Sequence, residues 1–282
     1  MTTPADVAAA GQLACLLEVS APKPGNVSPE RHFHDTRYED FLASAVAIGP
    51  ALSGAAQHPL GTTIRTAVEA TRRWTKSNTN LGIVLLLAPL ARAALRPGGT
   101  LRERLARVLA ETTVADAAQV YAAIRHAGPG GLGETTAEDV SATPTVTLRE
   151  AMALAADRDA VAREYITDFA LTFEVGVPAI RAARQEGLAW AEVAVEAYLT
   201  LLASTPDTHI ARKLGQAEAE SVSRRAREVR AAGGTRSAAG LKALAALDTE
   251  LRDPRNRRNP GTTADLTCAA LFVVILEGGW DR

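Results

Sequence analysis

The sequence predicts an all-α fold that forms one compact multi-helix domain over residues 1–282. Apolar residues recur at spacings of three and four along most of the chain, and no segment alternates as a half-buried strand does. Alanine, the best helix former, is abundant, whereas aromatic residues make up only 4% of the chain. The Gly and Pro breaks between the periodic segments are too short to be flexible linkers between domains.

Twelve helices follow from this periodicity. Thr3 can cap the first helix and Pro4 suits its first turn, while Thr147 and Glu150 have the spacing of a capping box. The predicted helices lie near residues 4–19, 37–55, 60–76, 82–96, 101–110, 114–125, 148–174, 178–186, 190–203, 208–231, 236–252 and 263–277.

Composition and charge exclude several classes of protein. The net charge of -1 favours neither a nucleic acid nor an anionic membrane as a partner. Cys15 and Cys268 lie inside apolar helical patterns, which indicates buried thiols and neither a disulfide nor a metal site. The N-terminus lacks the pattern of a signal peptide, and the apolar runs Ile83–Leu90 and Ala269–Leu276 are too short to cross a bilayer. We therefore expect a soluble cytoplasmic protein.

The first candidate site follows the first helix. Glu18 falls in the last helical turn, where the helix dipole disfavours an anion. Two prolines and Gly25 then predict a rigid, exposed turn around Lys23, with Asn26 directly after it. A carboxylate, an ammonium and an amide within nine residues indicate a functional site. The alternative is a surface ion pair between Glu18 and Lys23 on an ordinary loop.

A second polar segment, Ser77–Gly82, immediately precedes an apolar helix. Any of Ser77, Asn78 and Thr79 can cap that helix, which is a sufficient structural explanation. Because four polar residues exceed what one cap requires, Asn78, Thr79 and Asn80 are also candidates for a phosphate site at the exposed helix amides.

A third candidate lies within the long predicted helix 148–174. Asp159 and Arg163 interrupt its apolar face at a spacing of four residues. Buried charge is costly unless it is paired, so a structural pair between these two residues is one explanation and a functional role is the other.

A fourth segment surrounds His209. Asp207 or Thr208 can cap the helix that follows, but His209, Arg212 and Lys213 place cations where the helix dipole opposes them. Cations crowded there are explained if an anion such as a triphosphate binds among them.

The fifth segment runs from Asn259 to Asp265. Thr262 and Asp265 have capping-box spacing, which explains them structurally. Neither Asn259 nor the arginines at 255, 257 and 258 are explained in this way.

The remaining histidines and glycines give weaker signals. His32 and His34 flank Asp35 and are close enough in sequence to join the same pocket, but no third ligand has metal-site spacing, so we do not expect zinc. His58 and His126 are predicted at the surface. The glycine-rich segment 128–133 lacks the ending of a P-loop and follows a helix, so it does not indicate a nucleotide-binding loop.

Taken in order, these segments resemble the triphosphoribosyl-dephospho-CoA synthase family over essentially the whole chain. The resemblance rests on Glu18-Val19-Ser20 with Pro22-Lys23-Pro24-Gly25, on Asn78-Thr79 with Gly82, on Asp207-Thr208-His209, and on Asn259-Pro260-Gly261 with Ala264-Asp265-Leu266. The family usually has Leu-Val-Asp where this chain has Asn26-Val27-Ser28, and His-Lys where it has Asn80-Leu81.

The resemblance implies an enzyme that transfers the 5-triphosphoribosyl group of ATP to the ribose 2-hydroxyl of 3-dephospho-CoA and releases adenine. It further implies an oxocarbenium-like transition state stabilised by carboxylates, with Mg²⁺ held by Asp207 or other acids. The implied catalytic residues are Glu18, Asp159 and Asp207. The implied substrate-binding residues are Lys23, Gly25, Asn26, Asn78, Thr79, Asn80, Arg163, His209, Arg212, Lys213, Asn259 and Asp265.

Two other functions stay open because of the departures from the family pattern. One is a related ribosyl or phosphoribosyl transferase with a different acceptor, as in the synthesis of pterin-type one-carbon carriers. The other is an inactive helical protein that retains a nucleotide pocket. In all three cases the polar segments should converge, so we expect one cavity to be lined by Glu18, Lys23, Asn78, Asp159, Asp207, His209 and Asp265.

Overall fold

A computed structural model describes residues 2–129 and 138–280, and its regular structure is helical throughout. These residues form fourteen α-helices, a π-helix at Leu171–Gly176 and a 3-10 turn at Gly234–Arg236. Across the described part of the chain the β-structure is limited to one isolated bridge between Ser28 and Arg31. The predicted all-α fold is confirmed.

The α-helices are numbered in chain order. They are α1 (Pro4–Ser20), α2 (Tyr38–Ser53), α3 (Leu60–Arg72), α4 (Leu81–Ala94), α5 (Leu101–Ala110), α6 (Val114–Ala127), α7 (Leu148–Ala155), α8 (Ala160–Ile166), α9 (Val177–Gln185), α10 (Trp190–Ser204), α11 (Thr208–Leu214), α12 (Gln216–Ala231), α13 (Ala238–Leu251) and α14 (Gly261–Leu276).

Helix α14 lies at the centre of the fold. Nearly all of its residues from Thr262 to Val274 are buried, which is typical of a helix that other helices surround on every side. It packs against α1, α4, α9, α10 and the π-helix. Cys15 of α1 and Cys268 of α14 are both buried with their Sγ atoms 3.7 Å apart, which confirms the predicted buried thiols.

Several predicted helix starts are confirmed by the hydrogen bonds of their caps. Thr3 caps α1 through the amide of Asp6, and Thr147 caps α7 through the amide of Glu150, each as part of a capping box. Among the described residues, no helix has the length and hydrophobicity that crossing a bilayer requires.

The single long helix predicted over 148–174 is wrong. The chain forms α7, a turn, α8 and then the π-helix in this region. Asp159 is the N-cap of α8, where its Oδ1 accepts hydrogen bonds from the amides of Val161 at 2.8 Å and Ala162 at 3.2 Å. Arg163 donates instead to the carbonyls of Ala156 and Asp157, so the predicted Asp159–Arg163 pair does not form.

The helix predicted over 208–231 is also divided. Gly215 interrupts it with φ at +92°, a conformation that favours glycine, and separates α11 from α12. The glycine-rich segment 128–133 lies outside the described residues from position 130 onward.

Candidate active site

A cavity of about 1070 Å³ opens where several helix ends meet. The last turn of α1 and the N-terminal ends of α4, α8, α11 and α14 contribute to its lining, together with residues of α6 and α7. A helix N-terminus carries a partial positive charge and free amide groups. At the start of α4, the amides of Gly82 and Ile83 have no acceptor among the residues the structure describes. This end of the cavity therefore favours an anion.

Two carboxylates from different helices lie in this cavity, Glu18 at the end of α1 and Asp265 in the first turn of α14. Glu18 is buried, and its Oε1 lies 3.0 Å from Nζ of Lys23. The carboxyl group of Asp265 makes neither a hydrogen bond nor an ion pair with any described residue. Burial raises the pKa of Asp265 well above its ordinary value, and the negative charges of Glu18, Asp207 and Asp159 raise it further.

Lys23 does not lie in an exposed turn, and that prediction is wrong. It is 1% exposed and does not line the cavity. Besides Glu18 Oε1, its Nζ donates to the carbonyl of Glu18 and to that of Ala21, the latter at 3.3 Å. The predicted ion pair thus exists, but it is buried and out of reach of a phosphate.

Gly25 has a structural role next to this turn. Its φ of +75° suits glycine, and its amide donates to Asp248 Oδ1 at 2.8 Å. Because a Cβ here would lie 2.9 Å from Cβ of Leu251, a larger residue would not fit. Gly25 is not part of the cavity lining.

Asn78 and Thr79 line the cavity and also organise the start of α4. The N-cap of α4 is Asn80, which makes no side-chain cap hydrogen bond, but the Oδ1 atom of Asn78 accepts from the amide of Leu81 at 3.2 Å. The hydroxyl of Thr79 bonds with that of Ser44 at 2.6 Å. These contacts hold the segment against α2 while its polar face borders the cavity.

Asn80 and Asn26 line the cavity as well, and each is held by a buried hydrogen bond. Asn80 Nδ2 donates to the hydroxyl of Thr71 at 3.0 Å, and Asn26 Nδ2 donates to the hydroxyl of Tyr198 at 2.9 Å. Of the positions at which this chain departs from the family pattern, Asn26, Asn80 and Leu81 border the cavity, whereas Ser28 is buried outside its lining.

A second cluster, formed by Asp159, His209 and Arg212, lies along the side of the cavity at α11. The guanidinium of Arg212 bridges the other two residues, from Nη1 to Asp159 Oδ2 at 3.1 Å and from Nη2 to His209 Nδ1 at 3.2 Å. Arg212 Nε is buried and has no partner in the described part of the chain. Arg212 is thus held in place with one donor unused.

His209 is neutral in this environment. Burial, followed by the charges of Lys213 and Arg212, lowers the pKa of His209 to about 3. A guanidinium can only donate, so Nδ1 of His209 accepts and the ring proton is assigned to Nε2. Burial and then the charge of Arg212 also lower the pKa of Lys213, and a bound anion would relieve this repulsion.

Asp207, predicted as a catalytic and metal-binding residue, makes structural contacts, and its predicted roles stay predictions. It is 1% exposed and absent from the cavity lining. Oδ1 caps α11 through the amides of His209 and Ile210, at 2.9 and 3.0 Å. Oδ2 accepts from the amide and the hydroxyl of Thr263, both at 2.7 Å. Four donors therefore occupy the carboxylate and join α11 to α14.

The start of α14 differs from the predicted capping box. The helix begins at Gly261 after Pro260, and Thr262 lies inside it, accepting from the hydroxyl of Thr208 at 3.1 Å. Asn259 lines the cavity beside this helix end, and its Oδ1 is buried without a partner among the described residues.

The histidines before α2 do not join the cavity, although Asp35 between them does. His32 Nδ1 accepts from the amide of Tyr38, and His34 Nδ1 bonds with Asn256. His58 and His126 are exposed, as predicted. Within the described ranges, no group of three His, Cys, Asp or Glu side chains is placed to hold a metal ion.

Sequence reasoning missed part of the lining. Arg72, Lys76 and Arg158 border the cavity, and α6 and α7 form an apolar wall that includes Ile124 and Met152. Lys76 could have been predicted as a lining residue, because it directly precedes the Ser77–Gly82 segment. The apolar residues have the periodicity of ordinary core positions and gave no signal.

The structure places five of the seven residues expected to converge along this one cavity: Glu18, Asn78, Asp159, His209 and Asp265. Lys23 and Asp207 lie outside the lining. Lys23 forms an ion pair with the lining residue Glu18, and Asp207 accepts a hydrogen bond from the amide of the lining residue His209. Among the other predicted binding residues, Asn26, Thr79, Asn80, Arg163, Arg212, Lys213 and Asn259 line the cavity.

Comparison with known proteins yields a consistent set of matches. The family model described as CitG, ATP:dephospho-CoA triphosphoribosyl transferase, matches residues 4–282. A 2-(5''-triphosphoribosyl)-3'-dephosphocoenzyme-A synthase from Klebsiella pneumoniae is 32% identical over 104 residues, 37% of this chain and 36% of that protein. A protein of Stutzerimonas stutzeri (strain A1501), provisionally given the same name, is 33% identical over 105 residues, 37% and 36% of the two chains. The aligned segment thus spans about a third of these curated relatives.

Structural similarity extends further along the chain. A crystal structure from Archaeoglobus fulgidus, provisionally described as a triphosphoribosyl-dephospho-CoA synthase, superimposes with a TM-score of 0.66 at 28% sequence identity. The match covers 84% of this chain and 99% of the other.

Proposed function

The chain belongs to the ATP:dephospho-CoA triphosphoribosyl transferase family, and on that premise we propose that it transfers the 5-triphosphoribosyl group of ATP to 3-dephospho-CoA. The bond between ribose C1 and adenine N9 breaks, and C1 forms a new bond to the ribose 2-hydroxyl oxygen of the acceptor. Adenine leaves with the electron pair of the broken bond and takes up one proton in place of the one that the acceptor hydroxyl loses, and the triphosphate stays attached to the transferred ribose. As an enzyme that consumes ATP, the protein would act in the cytoplasm.

The observation that carries this proposal is the pairing of two cavity carboxylates with anion-binding groups. Triphosphate oxygens would bind the unused Nε of Arg212, the ammonium of Lys213 and the free amides of Gly82 and Ile83. Charge-assisted hydrogen bonds and helix N-termini are well suited to phosphate. The ribose would then lie towards Glu18 and Asp265.

The two carboxylates would have different tasks. Displacement at an anomeric carbon passes through a cationic, oxocarbenium-like state. Glu18, which is paired with Lys23, supplies a fixed negative charge that stabilises this cation. Asp265 accepts the proton of the acceptor hydroxyl, because burial and the nearby carboxylates raise its pKa and so increase its affinity for that proton.

Mg²⁺ would enter the site bound to the ATP triphosphate and would neutralise part of its charge. Asp207 does not fit the role of its ligand, since four hydrogen bonds already occupy that carboxylate. Mg²⁺ commonly binds through substrate phosphates with only one or two protein carboxylates.

A different acceptor is the second candidate. The observation that favours it is that Asn26, Asn80 and Leu81, which replace the usual family residues, all line the cavity. Substrate contacts are therefore altered where the sequence departs from the family pattern. The inactive-protein alternative is less well supported, because Glu18 and Asp265 are retained and Asp265 has no structural partner among the described residues.

The test is product analysis by chromatography after incubation with ATP, Mg²⁺ and dephospho-CoA. We expect free adenine in an amount equal to the triphosphoribosylated acceptor. Release of ADP would indicate a kinase, and release of pyrophosphate a nucleotidyl transferase. Adenine release that requires a pterin-type acceptor would support the second candidate, and ATP binding without adenine release would support the inactive protein.

A further inference from the structure

A negative charge on Glu18 is energetically unfavourable unless it is compensated. It is 4% exposed, and it lies in the last turn of α1, where the carbonyl end of the helix repels an anion. A buried carboxylate stays ionised only with compensation from an opposite charge or from hydrogen-bond donors. The role proposed for Glu18 as a fixed anion therefore requires a dedicated partner.

The buried ammonium of Lys23 meets this requirement. The turn formed by Pro22–Gly25 folds Lys23 back onto the end of α1, where Nζ lies 3.0 Å from Glu18 Oε1. The same Nζ donates to the carbonyls of Glu18 and Ala21, so the known partners of its three N–H donors all belong to this helix end.

We propose that Lys23 is a positioning residue that holds the Glu18 carboxylate through Oε1, so that Oε2 is presented to the cavity. This inference rests on the function proposed above. It differs from a phosphate-binding role because the Lys23 side chain is fully buried and does not border the cavity. It also differs from a purely structural role, since removal of Lys23 should affect the chemical step through Glu18 alone.

A double-mutant cycle in the adenine-release assay tests this coupling. Lys23→Met should lower kcat by ~100-fold or more while KM for ATP stays within about threefold, since transition-state stabilisation is lost and ground-state binding is kept. Glu18→Gln should have a similar effect. In the Glu18→Gln background, adding Lys23→Met should change kcat by less than about threefold, because residues that act as a unit are not additive.

A matched control variant and a second comparison distinguish a loss of coupling from a general loss of activity or folding. Lys242, which is exposed on α13, provides the matched Lys242→Met variant, and that variant should keep wild-type activity. If Lys23→Met alone fails to fold, the comparison of Glu18→Gln with the double variant remains, because removing both charges leaves no unpaired buried ion. A rise in KM for ATP in Lys23→Met, or independent losses in kcat, would overturn the proposal.

A spectroscopic readout separates this proposal from the proposed function. With ¹³C-carboxyl glutamate, the infrared difference between wild type and Glu18→Gln isolates the Glu18 band. We expect the frequency of the Glu18 carboxylate band in Lys23→Met to differ from that in the wild type, because the ion pair at Oε1 is lost. An unchanged carboxylate band in Lys23→Met would refute the role of Lys23. Absent adenine release would instead refute the proposed function.

Discussion

At the scale of single residues, the absence of a side chain at Gly82 makes room for the Asp265 carboxyl. A Cβ at position 82 would lie 2.0 Å from Asp265 Oδ2, so Gly82→Ala must displace that carboxyl or the start of α4. Because a small misplacement of a reacting group is costly, we expect adenine release to slow by ~100-fold or more with little change in helix content. Steady-state assays and circular dichroism measure both quantities.

Gly54→Ala is the matched control for this variant. Its Cβ would meet the exposed side chain of His58 at 3.3 Å, which can move aside, and Gly54 lies outside the cavity. Wild-type rates are expected for Gly54→Ala. Wild-type rates for Gly82→Ala would show that the reaction does not depend on the position of Asp265.

His209 provides a residue-scale prediction about pH. The pKa of His209 is lowered from 6.5 to about 3, so the unfolded chain binds a proton in this range where the folded chain does not. The stabilising contribution of neutral His209 is therefore fully present above pH 6.5 and is lost as the pH falls towards 3. Replacement of His209 by Gln should weaken this acid dependence in urea unfolding.

An NMR titration of the free protein checks the same point directly. The Hε1 resonance assigned to His209 should not shift between pH 8 and pH 5. Titration of that resonance with a midpoint near the ordinary histidine pKa would show that His209 is charged under mildly acidic conditions, contrary to this account.

At the scale of elements, Asp207 connects two helices that carry site residues. It caps α11, which holds His209 and Arg212, and accepts two hydrogen bonds from Thr263 at the start of α14. Asp207→Ala would leave several buried donors unsatisfied, at about 1–3 kcal/mol for each such group. We expect the free energy of unfolding to fall by roughly 3 kcal/mol or more, together with activity.

Asp6→Ala is a suitable comparison, because Asp6 belongs to an exposed capping box at the start of α1. Its loss of stability in urea unfolding should be clearly smaller. An Asp207→Ala protein with wild-type stability and no activity would restore the catalytic role that the sequence predicted for Asp207.

The presence of the helices could be predicted from the sequence, but the residues at which some of them begin and end could not. Apolar spacing of three and four residues continues across the turn before α8, and nothing local distinguishes Asp159 within a helix from Asp159 at an N-cap. The distinction depends on its ion pair with Arg212, 53 positions further along the chain. Gly215 is a possible helix break in the sequence, but the helical periodicity on both sides of it favoured one continuous helix.

Part of the cavity lining could also be predicted from the sequence. Polar residues next to helix ends identified Glu18, Asn78, His209 and Asp265, because burial of these side chains needs an explanation. The error for Lys23 has a physical origin, since a Pro-rich turn normally lies at the surface. Its burial depends on contacts of the neighbouring turn residues with Tyr198 and Leu251, which are remote in sequence.

At the scale of the whole molecule, the central helix α14 organises the site. Its N-terminus faces the cavity, and its sides pack against α1, which carries Glu18, and α4, which carries Gly82. Segments that are up to 247 positions apart in sequence, from Glu18 to Asp265, thus meet on one rigid scaffold. We propose that in this arrangement the two carboxylates perform the chemistry while other groups bind the triphosphate.

The most direct test measures ATP binding and adenine release in parallel for wild type, Glu18→Gln and Asp265→Asn, with saturating acceptor. We expect each variant to bind ATP with a Kd within about threefold of wild type, while adenine release slows by ~100-fold or more. Adenine release at the wild-type rate by either variant, or a rate loss explained entirely by weaker ATP binding, would show that these carboxylates do not perform the chemistry.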